Sequence, residues 1–202
     1  KNGCNRFIYA STMSVYGVQP NRPIRENDFC NPESFYGIAK LASEHYLRIY
    51  RNYGINSTSL RLFNVYGPGQ DLQNLRQGMV SIFLSQILKD KKILVKGSKD
   101  RFRDFIYIDD VVEAFVRCLT MSNSYNEIIN IGTGIKTTVA QLINQLVSNY
   151  DIEIPVIYKG GTSGDIFGIY SDQTKMNKSL GAWHKIDLEM GIKKFNHFYK
   201  QN

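Results

Sequence analysis

The sequence contains few of the residues that hold metal ions or build disulfide frameworks. Its 202 residues include three cysteines, Cys4, Cys30 and Cys118, and three histidines. No two cysteines stand at Cys-x-x-Cys spacing, and the histidines are scattered along the chain. An odd number of widely spaced cysteines argues against both a disulfide scaffold and a structural zinc site, so we predict no bound metal.

Long apolar runs are missing as well. A helix that crosses a bilayer needs about 20 mostly apolar residues, and no stretch of this sequence approaches that length. The first residues contain no apolar core of a signal peptide. We therefore expect a cytoplasmic protein with no membrane partner.

The excess of positive charge is small. The chain has 25 Lys and Arg against 18 Asp and Glu, which gives a formal net charge of +7. The basic residues are dispersed, apart from short clusters at 89–92 and 193–194. Nucleic-acid-binding domains usually concentrate Lys and Arg on one face, so we predict no nucleic-acid partner.

The chain does contain enough apolar surface for a packed core, since 43% of its residues are hydrophobic and 12% are aromatic. Short apolar runs alternate with segments whose apolar residues recur every three or four positions. This alternation predicts an α/β protein with parallel strand pairing. Strands are predicted near 7–10, 57–63, 93–95, 105–108, 128–131 and 154–158, and helices near 36–51, 78–88, 111–121 and 138–149, with two short ones from 172 and 187.

Local signals refine some of these helices. Asp109 and Asp110 are predicted to cap the helix at 111–121, and Thr137 or Thr138 the helix that follows. In the helix at 36–51, the residues at three- and four-residue steps form one apolar face. They are Ile38, Leu41, Ala42, His45 and Ile49.

A phenol and an ammonium group stand four residues apart at Tyr36 and Lys40, on one face of the predicted helix. A nearby cation favours the ionised form of a phenol, which suits the pair to proton transfer. Ser11 and Thr12 follow the first predicted strand directly, where open parallel sheets place their ligand crevice. This context favours an acid–base site over the alternative of a half-buried Tyr beside a solvated Lys.

Six segments extend this pattern in order along nearly the whole chain. They are YASTMSVYG at 9–17, YGIAK at 36–40, RLFNVYGP at 61–68, RDFIYIDD at 103–110, NIGTG at 130–134 and GD at 164–165. Together they resemble the extended short-chain dehydrogenase/reductase family, that is, the NAD-dependent nucleotide-sugar epimerases and dehydratases similar to UDP-glucose 4-epimerase.

The resemblance implies roles for particular residues. Tyr36 would exchange a proton with a sugar hydroxyl while hydride passes to NAD, Lys40 would bind the nicotinamide ribose, and Thr12 would hydrogen-bond the reacting oxygen. Ser11 is the alternative to Thr12. Cofactor contacts are implied for Ser11, Tyr36, Lys40 and Phe63, and substrate contacts for Thr12, Asn64, Arg103 and Asp165.

Two of these substrate contacts concern the diphosphate. The resemblance implies that Asn64 and Arg103 lie near that group, because a guanidinium can form two parallel hydrogen bonds with a phosphate. The alternative for Arg103 is a surface ion pair with Asp104.

The resemblance also implies a fold: α/β, with the C-terminal part of a Rossmann-like parallel sheet and flanking helices, plus a small mixed α/β substrate-binding domain. Residues 1–70 would form the second half of the Rossmann-like domain and carry the catalytic residues. Residues 71–202 would form the substrate-binding domain, with 105–149 returning to the Rossmann-like sheet.

One part of the family pattern is missing from the sequence. No strand is followed by the Gly-x-x-Gly-x-x-Gly turn that receives a dinucleotide pyrophosphate, and 132–134 lacks the third glycine. The chain also begins with Lys1 and soon enters an apolar strand. We therefore expect the later part of a longer polypeptide, which would use NAD as a full-length enzyme but bind it weakly or not at all as this chain.

The leading interpretation is an NAD-dependent nucleotide-sugar 4-epimerase, or a truncated part of one, with a UDP-sugar as its substrate. Dehydratases of the family carry an acidic pair where this chain has Met13 and Ser14, which favours epimerisation. The alternatives are a reductase, decarboxylase or dehydratase of the same family, or a catalytically dead fragment that acts as a binding module. The resemblance also implies a homodimer through the helix that carries Leu47 and Tyr50, and the alternative is that these residues pack inside the monomer.

Overall fold

The computed structural model describes residues 3–74, 78–161 and 166–201. The strands are β1 (Arg6–Thr12), β2 (Asn56–Leu62), β3 (Asn64–Tyr66), β4 (Ile93–Lys96), β5 (Phe102–Arg103), β6 (Phe105–Tyr107), β7 (Ile128–Ile131), β8 (Thr137–Thr138), β9 (Val156–Lys159) and β10 (Gly168–Ile169). The α-helices are α1 (Phe35–Tyr50), α2 (Met79–Asp90), α3 (Ile108–Thr120), α4 (Val139–Val147), α5 (Thr174–Leu180) and α6 (Leu188–Gln201). Within these ranges, no helix is both long and apolar enough to span a bilayer.

A three-stranded parallel sheet with the order β1-β2-β7 positions the site. Because strand side chains alternate between the two faces, Leu60 and Arg61 point in opposite directions. Leu60 belongs to an apolar cluster with Val111 and Ala114 of α3, whereas Arg61 pairs with Glu44 of α1. Helices therefore cover both faces of a parallel sheet, and the predicted α/β class is confirmed.

The other strands form three small sheets. Their orders are β10-β5-β8, β3-β6 and β4-β9, and the β5–β8 pair is antiparallel. The largest apolar cluster lies among these sheets and the helices α2, α4 and α6. Ile128–Ile131 lies beside β2 in the first sheet, but Phe105–Tyr107 pairs with β3. The division of the chain at residue 70 stays a prediction.

The structure confirms one of the two helix caps predicted from the sequence, that of α4, but not that of α3. Thr138 caps α4 with a capping box, in which its hydroxyl accepts from Gln141 N at 3.1 Å. The capping role of Asp109 and Asp110 is wrong, because α3 already begins at Ile108 and both carboxylates lie in its first turn. Asp110 is buried and accepts hydrogen bonds from Trp183 Nε1 and Ile186 N, and burial raises its pKa.

The apolar face predicted for α1 is not the face that packs on the sheet. Ile38 and Ile49 are 52% and 51% exposed, whereas the buried residues of the helix are Gly37 and Glu44. The reason is that the sheet presents polar groups here, namely Ser11 and Arg61, so the helix places a carboxylate against them.

Candidate functional site

The end of β1 brings Thr12 to the edge of a cleft. Thr12 caps a short 3-10 turn, Met13–Val15, where its hydroxyl oxygen accepts from Ser14 N at 3.1 Å. The same hydroxyl donates to Ser14 Oγ at 3.2 Å. The Thr12 side chain is thus held in one orientation at the carboxyl end of the strand.

Helix α1 brings Tyr36 to the same cleft. Ser34 caps the helix by accepting from Gly37 N at 3.1 Å, which places Tyr36 in the first turn with 55% of its surface exposed. A Cβ on Gly37 would lie 2.5 Å from Ser14 O, so the helix approaches this closely because residue 37 has no side chain. Glycine between Tyr36 and Ile38 thereby brings the phenol towards Thr12.

Lys40 reaches the strand end from the next turn of α1. Its ammonium donates to Ala10 O at 2.8 Å and lies 4.8 Å from the ring centroid of Tyr9 and 5.6 Å from that of Tyr36. An ammonium group has three donor hydrogens, and among the described residues the one hydrogen bond of Lys40 goes to Ala10 O, so two donors remain. The pattern Tyr-x-x-x-Lys therefore places both groups beside β1, as its spacing predicts.

Ser11 has a different environment from Thr12. It is buried, and its hydroxyl donates to Glu44 Oε1 at 2.5 Å. Glu44 also receives Arg61 Nε at 3.0 Å and Arg61 Nη2 at 2.7 Å. Burial alone would lower the pKa of Arg61, but the Glu44 carboxylate raises it, so the guanidinium stays charged. Sequence reasoning missed Glu44, although it stands four residues after Lys40 on the same side of the helix.

The cleft between these elements has a volume of about 340 Å³. Its described lining residues are Ser11, Thr12, Met13, Tyr36, Leu62, Phe63, Asn64, Val65, Gln70, Gly78, Met79, Val80 and Phe105. The structure therefore brings together five of the predicted site residues, Ser11, Thr12, Tyr36, Phe63 and Asn64.

Asn64 offers the cleft mainly an acceptor. Its Nδ2 donates to Asp104 O at 3.1 Å and to Met13 Sδ at 3.6 Å, so both amide hydrogens point to protein atoms. The remaining hydrogen-bonding atom of the carboxamide is the oxygen Oδ1. In this orientation Asn64 suits a ligand hydroxyl better than a diphosphate.

Arg103 does not line this cleft. It is 7% exposed, and its Nη1 donates to Phe102 O at 2.7 Å and to Phe167 O at 3.3 Å. Burial, with a smaller contribution from Arg101, lowers the pKa of Arg103 to about 10, which leaves the guanidinium charged at neutral pH. Asp165 and its neighbour Gly164 lie outside the described residues.

The neighbouring Asp104 ties three segments together. This fully buried carboxylate accepts from Thr133 N, Thr133 Oγ1, Gly134 N, Ser171 N and Ser171 Oγ at 2.5 to 3.0 Å. The alternative in which Arg103 is a surface residue is therefore wrong, because Arg103 is buried, and Asp104 accepts hydrogen bonds from Thr133, Gly134 and Ser171. Sequence reasoning missed this role, although the NIGTG segment supplies two of the donors.

Asp104→Asn is expected to lower the free energy of unfolding by about 2 to 3 kcal/mol, because an amide NH₂ would face backbone N–H donors that need an acceptor. Urea denaturation measures the change. Asp100→Asn, at an exposed position in the preceding loop, is the control, and an equal loss in both variants would contradict the role of Asp104.

Among the described residues, no three His, Cys, Asp or Glu side chains form a group that could hold a metal ion. The cleft is lined by hydroxyl, phenol and amide groups next to apolar side chains, which is typical of a site for an organic ligand.

Comparison with known proteins gives consistent matches. Residues 1–132 match the model of the NAD dependent epimerase/dehydratase family. The whole chain is 37% identical to a putative UDP-glucose 4-epimerase from Methanocaldococcus jannaschii and covers 65% of that protein. It is 35% identical over 96% of its length to a dTDP-4-dehydro-6-deoxyglucose reductase from Escherichia coli, of which it covers 61%.

Solved structures agree. A UDP-glucose 4-epimerase from Thermotoga maritima, with UDP-glucose, superposes with a TM-score of 0.90 at 37% identity over 98% of this chain and 64% of that one. A UDP-glucuronic acid 4-epimerase from Bacillus cereus, with UDP-glucuronic acid and NAD, superposes with a TM-score of 0.88 at 29% identity over 98% of this chain and 62% of that one. The chain thus spans less than two thirds of the length of these relatives.

Proposed function

The chain belongs to the NAD dependent epimerase/dehydratase family, and from this we propose that it forms the catalytic and sugar-binding part of an NAD-dependent nucleotide-sugar 4-epimerase acting on a UDP-sugar. The observation that carries the proposal is the meeting of Tyr36 and Thr12 at one cleft, with the Lys40 ammonium beside them. These three groups suit proton exchange with a sugar hydroxyl.

Each side chain contributes a distinct step. In its phenolate form, the exposed side chain of Tyr36 takes the proton from the sugar hydroxyl and later returns it. The Thr12 hydroxyl holds the reacting oxygen, and the Lys40 ammonium lies beside the phenol, 5.6 Å from its ring centroid. Arg103 and Asp165 are proposed to contact the nucleotide-sugar substrate, and the charged guanidinium of Arg103 suits a phosphate.

The residues present fit the nicotinamide end of NAD. Lys40 has two donor hydrogens left for ribose hydroxyls, and the buried ring of Phe63 offers a flat apolar surface in the cleft. When bound, NAD supplies a reversible hydride acceptor for the sugar carbon. Ser11 is proposed to contact NAD through its main-chain atoms, since its hydroxyl donates to Glu44.

Dehydration is the second candidate, because dTDP-D-glucose 4,6-dehydratases are among the relatives. Water elimination needs an acid to protonate the leaving hydroxyl. Among the described residues that line the cleft there is no Asp or Glu, and Ser14, in the segment where dehydratases carry acids, is bonded to Thr12. This observation favours the epimerase.

The proposal is tested with this chain fused to the part of the Thermotoga maritima relative that the match leaves out. With NAD and UDP-glucose, we expect UDP-galactose, identified by ion-exchange chromatography and NMR, without net formation of NADH. A 4-keto-6-deoxy sugar nucleotide would contradict it in favour of a dehydratase. In a parallel assay with UDP-glucuronic acid, CO₂ and a UDP-pentose would contradict it in favour of a decarboxylase. Binding of UDP-glucose without turnover would favour a binding module.

A separate prediction concerns the 202-residue chain itself. Because its sequence lacks a Gly-rich pyrophosphate turn, we expect isothermal titration with NAD to detect weak binding or none. UDP-glucose serves as the positive control for a folded site. Tight binding of NAD would contradict the argument from the missing turn.

A further inference from the structure

Two consecutive residues of β1 hold the Lys40 ammonium in place. Among the described residues, its one hydrogen bond goes to Ala10 O, a neutral carbonyl oxygen, at 2.8 Å. The ammonium nitrogen also lies 4.8 Å from the ring centroid of Tyr9, within the range of roughly 6 Å over which a cation–π contact attracts. One short piece of strand therefore supplies both a dipole and an aromatic face to the same positive charge.

No carboxylate takes part in this arrangement. Within the described part of the chain, Lys40 forms no ion pair with an acidic side chain. Glu44 lies one helical turn further along α1, but its two oxygens already accept from Ser11 and Arg61. The Ala10 carbonyl and the Tyr9 ring are thus the groups of β1 that attract the ammonium.

The strand fixes the side on which the Tyr9 ring lies. Side chains alternate between the two faces of a strand, so Tyr9 shares a face with Ser11 and not with Ile8. Ser11 donates to Glu44 of α1, whereas Ile8 packs with the apolar cluster on the other face. The half-buried Tyr9 ring therefore lies on the side of the sheet that α1 covers.

An aromatic ring and a carboxylate would hold the ammonium with different consequences. A carboxylate accepts the donor hydrogens of a cation that it binds. The face of a ring attracts the same charge through its quadrupole and offers no lone pair to those hydrogens. With Tyr9 in this place, Lys40 keeps two donors, the number that two neighbouring hydroxyl groups of a ligand can accept.

We propose that Tyr9 is a positioning residue, whose ring, together with Ala10 O, holds the Lys40 ammonium at the end of β1 and leaves two of its hydrogens available to a diol of the bound ligand. This inference rests on the proposed function, in which the diol is the nicotinamide ribose. Tyr9 acts through Lys40 and has no contact of its own with the reacting atoms in this proposal.

NMR of the isotopically labelled 202-residue chain tests the arrangement without a cofactor. In the wild type, we expect nuclear Overhauser contacts from the ε-methylene protons of Lys40 to the rings of Tyr9 and Tyr36. Tyr9→Leu is expected to weaken the contact to Tyr36 and to lower the order parameter of the Lys40 side chain, because one of its attractions is lost. Tyr9→Phe retains an aromatic face and should retain both signals.

The matched control is Tyr53→Leu, which removes a 75% exposed ring from the turn after α1 and should change neither signal. Thermal unfolding checks that all three variants fold. The wild-type spectrum needs no variant, and absence of the contact between Lys40 and the Tyr9 ring would overturn the inference. An unchanged Lys40 order parameter in folded Tyr9→Leu would overturn it as well.

A second measurement uses the fusion with a cofactor-binding segment. Isothermal titration with NAD is expected to show binding that is about two- to fivefold weaker in Tyr9→Leu and unchanged in Tyr9→Phe, which corresponds to the contribution of an exposed cation–π contact. If Tyr9→Leu binds NAD as tightly as the wild type, the inference is overturned while the proposed function stands. If the wild-type fusion binds NAD but does not convert UDP-glucose, the proposed function alone fails.

Discussion

Tyr36→Phe is expected to lower kcat for epimerisation by about 10²- to 10⁴-fold, the usual contribution of a general acid–base group. The substitution removes one oxygen atom from a side chain that is 55% exposed, so the helix and the cleft should persist. KM for UDP-glucose should change little, since the ring stays in place while the proton acceptor is lost. Steady-state kinetics of the fusion with a cofactor-binding segment measures both constants.

The matched control is Tyr46→Phe on the same helix. Tyr46 is 66% exposed and does not line the cleft among its described residues, so the loss of its hydroxyl should leave kcat unchanged. Thermal unfolding of both variants should match that of the wild type. If Tyr36→Phe retains most of the wild-type kcat, another group carries the proton and the assignment of Tyr36 is wrong.

Much of this site could be predicted from the sequence because its chemistry is local. Thr12 follows a recognisable apolar strand, and Tyr36 and Lys40 lie one helical turn apart, so strand and helix rules alone place them at a strand end. The parallel sheet then brings Thr12 opposite Leu62, which places Phe63 and Asn64 beside the same edge. Spacing and topology therefore indicate Thr12, Tyr36 and Lys40, whereas Phe63 and Asn64 were implied by the family resemblance.

The remaining features depend on contacts that spacing does not encode. Glu44 reads as a surface residue of an amphipathic helix, and its burial follows from Arg61 on a strand 17 residues later. Asp104 depends on donors from two distant turns. Secondary-structure propensity does not indicate these buried carboxylates, because tertiary packing determines the position of each.

The buried ion pair between Glu44 and Arg61 gives the largest effect that we expect on stability. Glu44→Ala should lower the free energy of unfolding by about 3 to 5 kcal/mol, because the Arg61 guanidinium would stay charged in a site where 3% of its side chain is exposed. Urea denaturation followed by circular dichroism measures this loss. Ser11 would also lose its acceptor, which adds to the cost.

Two further variants separate the ion pair from a general effect of removing a carboxylate. Glu113→Ala breaks a partly exposed pair with Arg117 and should cost no more than about 1 kcal/mol. The double variant Glu44→Ala with Arg61→Leu should lose less than the sum of its single variants, since neither charge is then left buried alone. If Glu44→Ala costs no more than Glu113→Ala, the pair does not stabilise the fold. If Glu44→Ala costs several times more, the ion pair between Glu44 of α1 and Arg61 of β2 stabilises the fold. The same pair then helps to hold α1, which carries Tyr36, against the sheet.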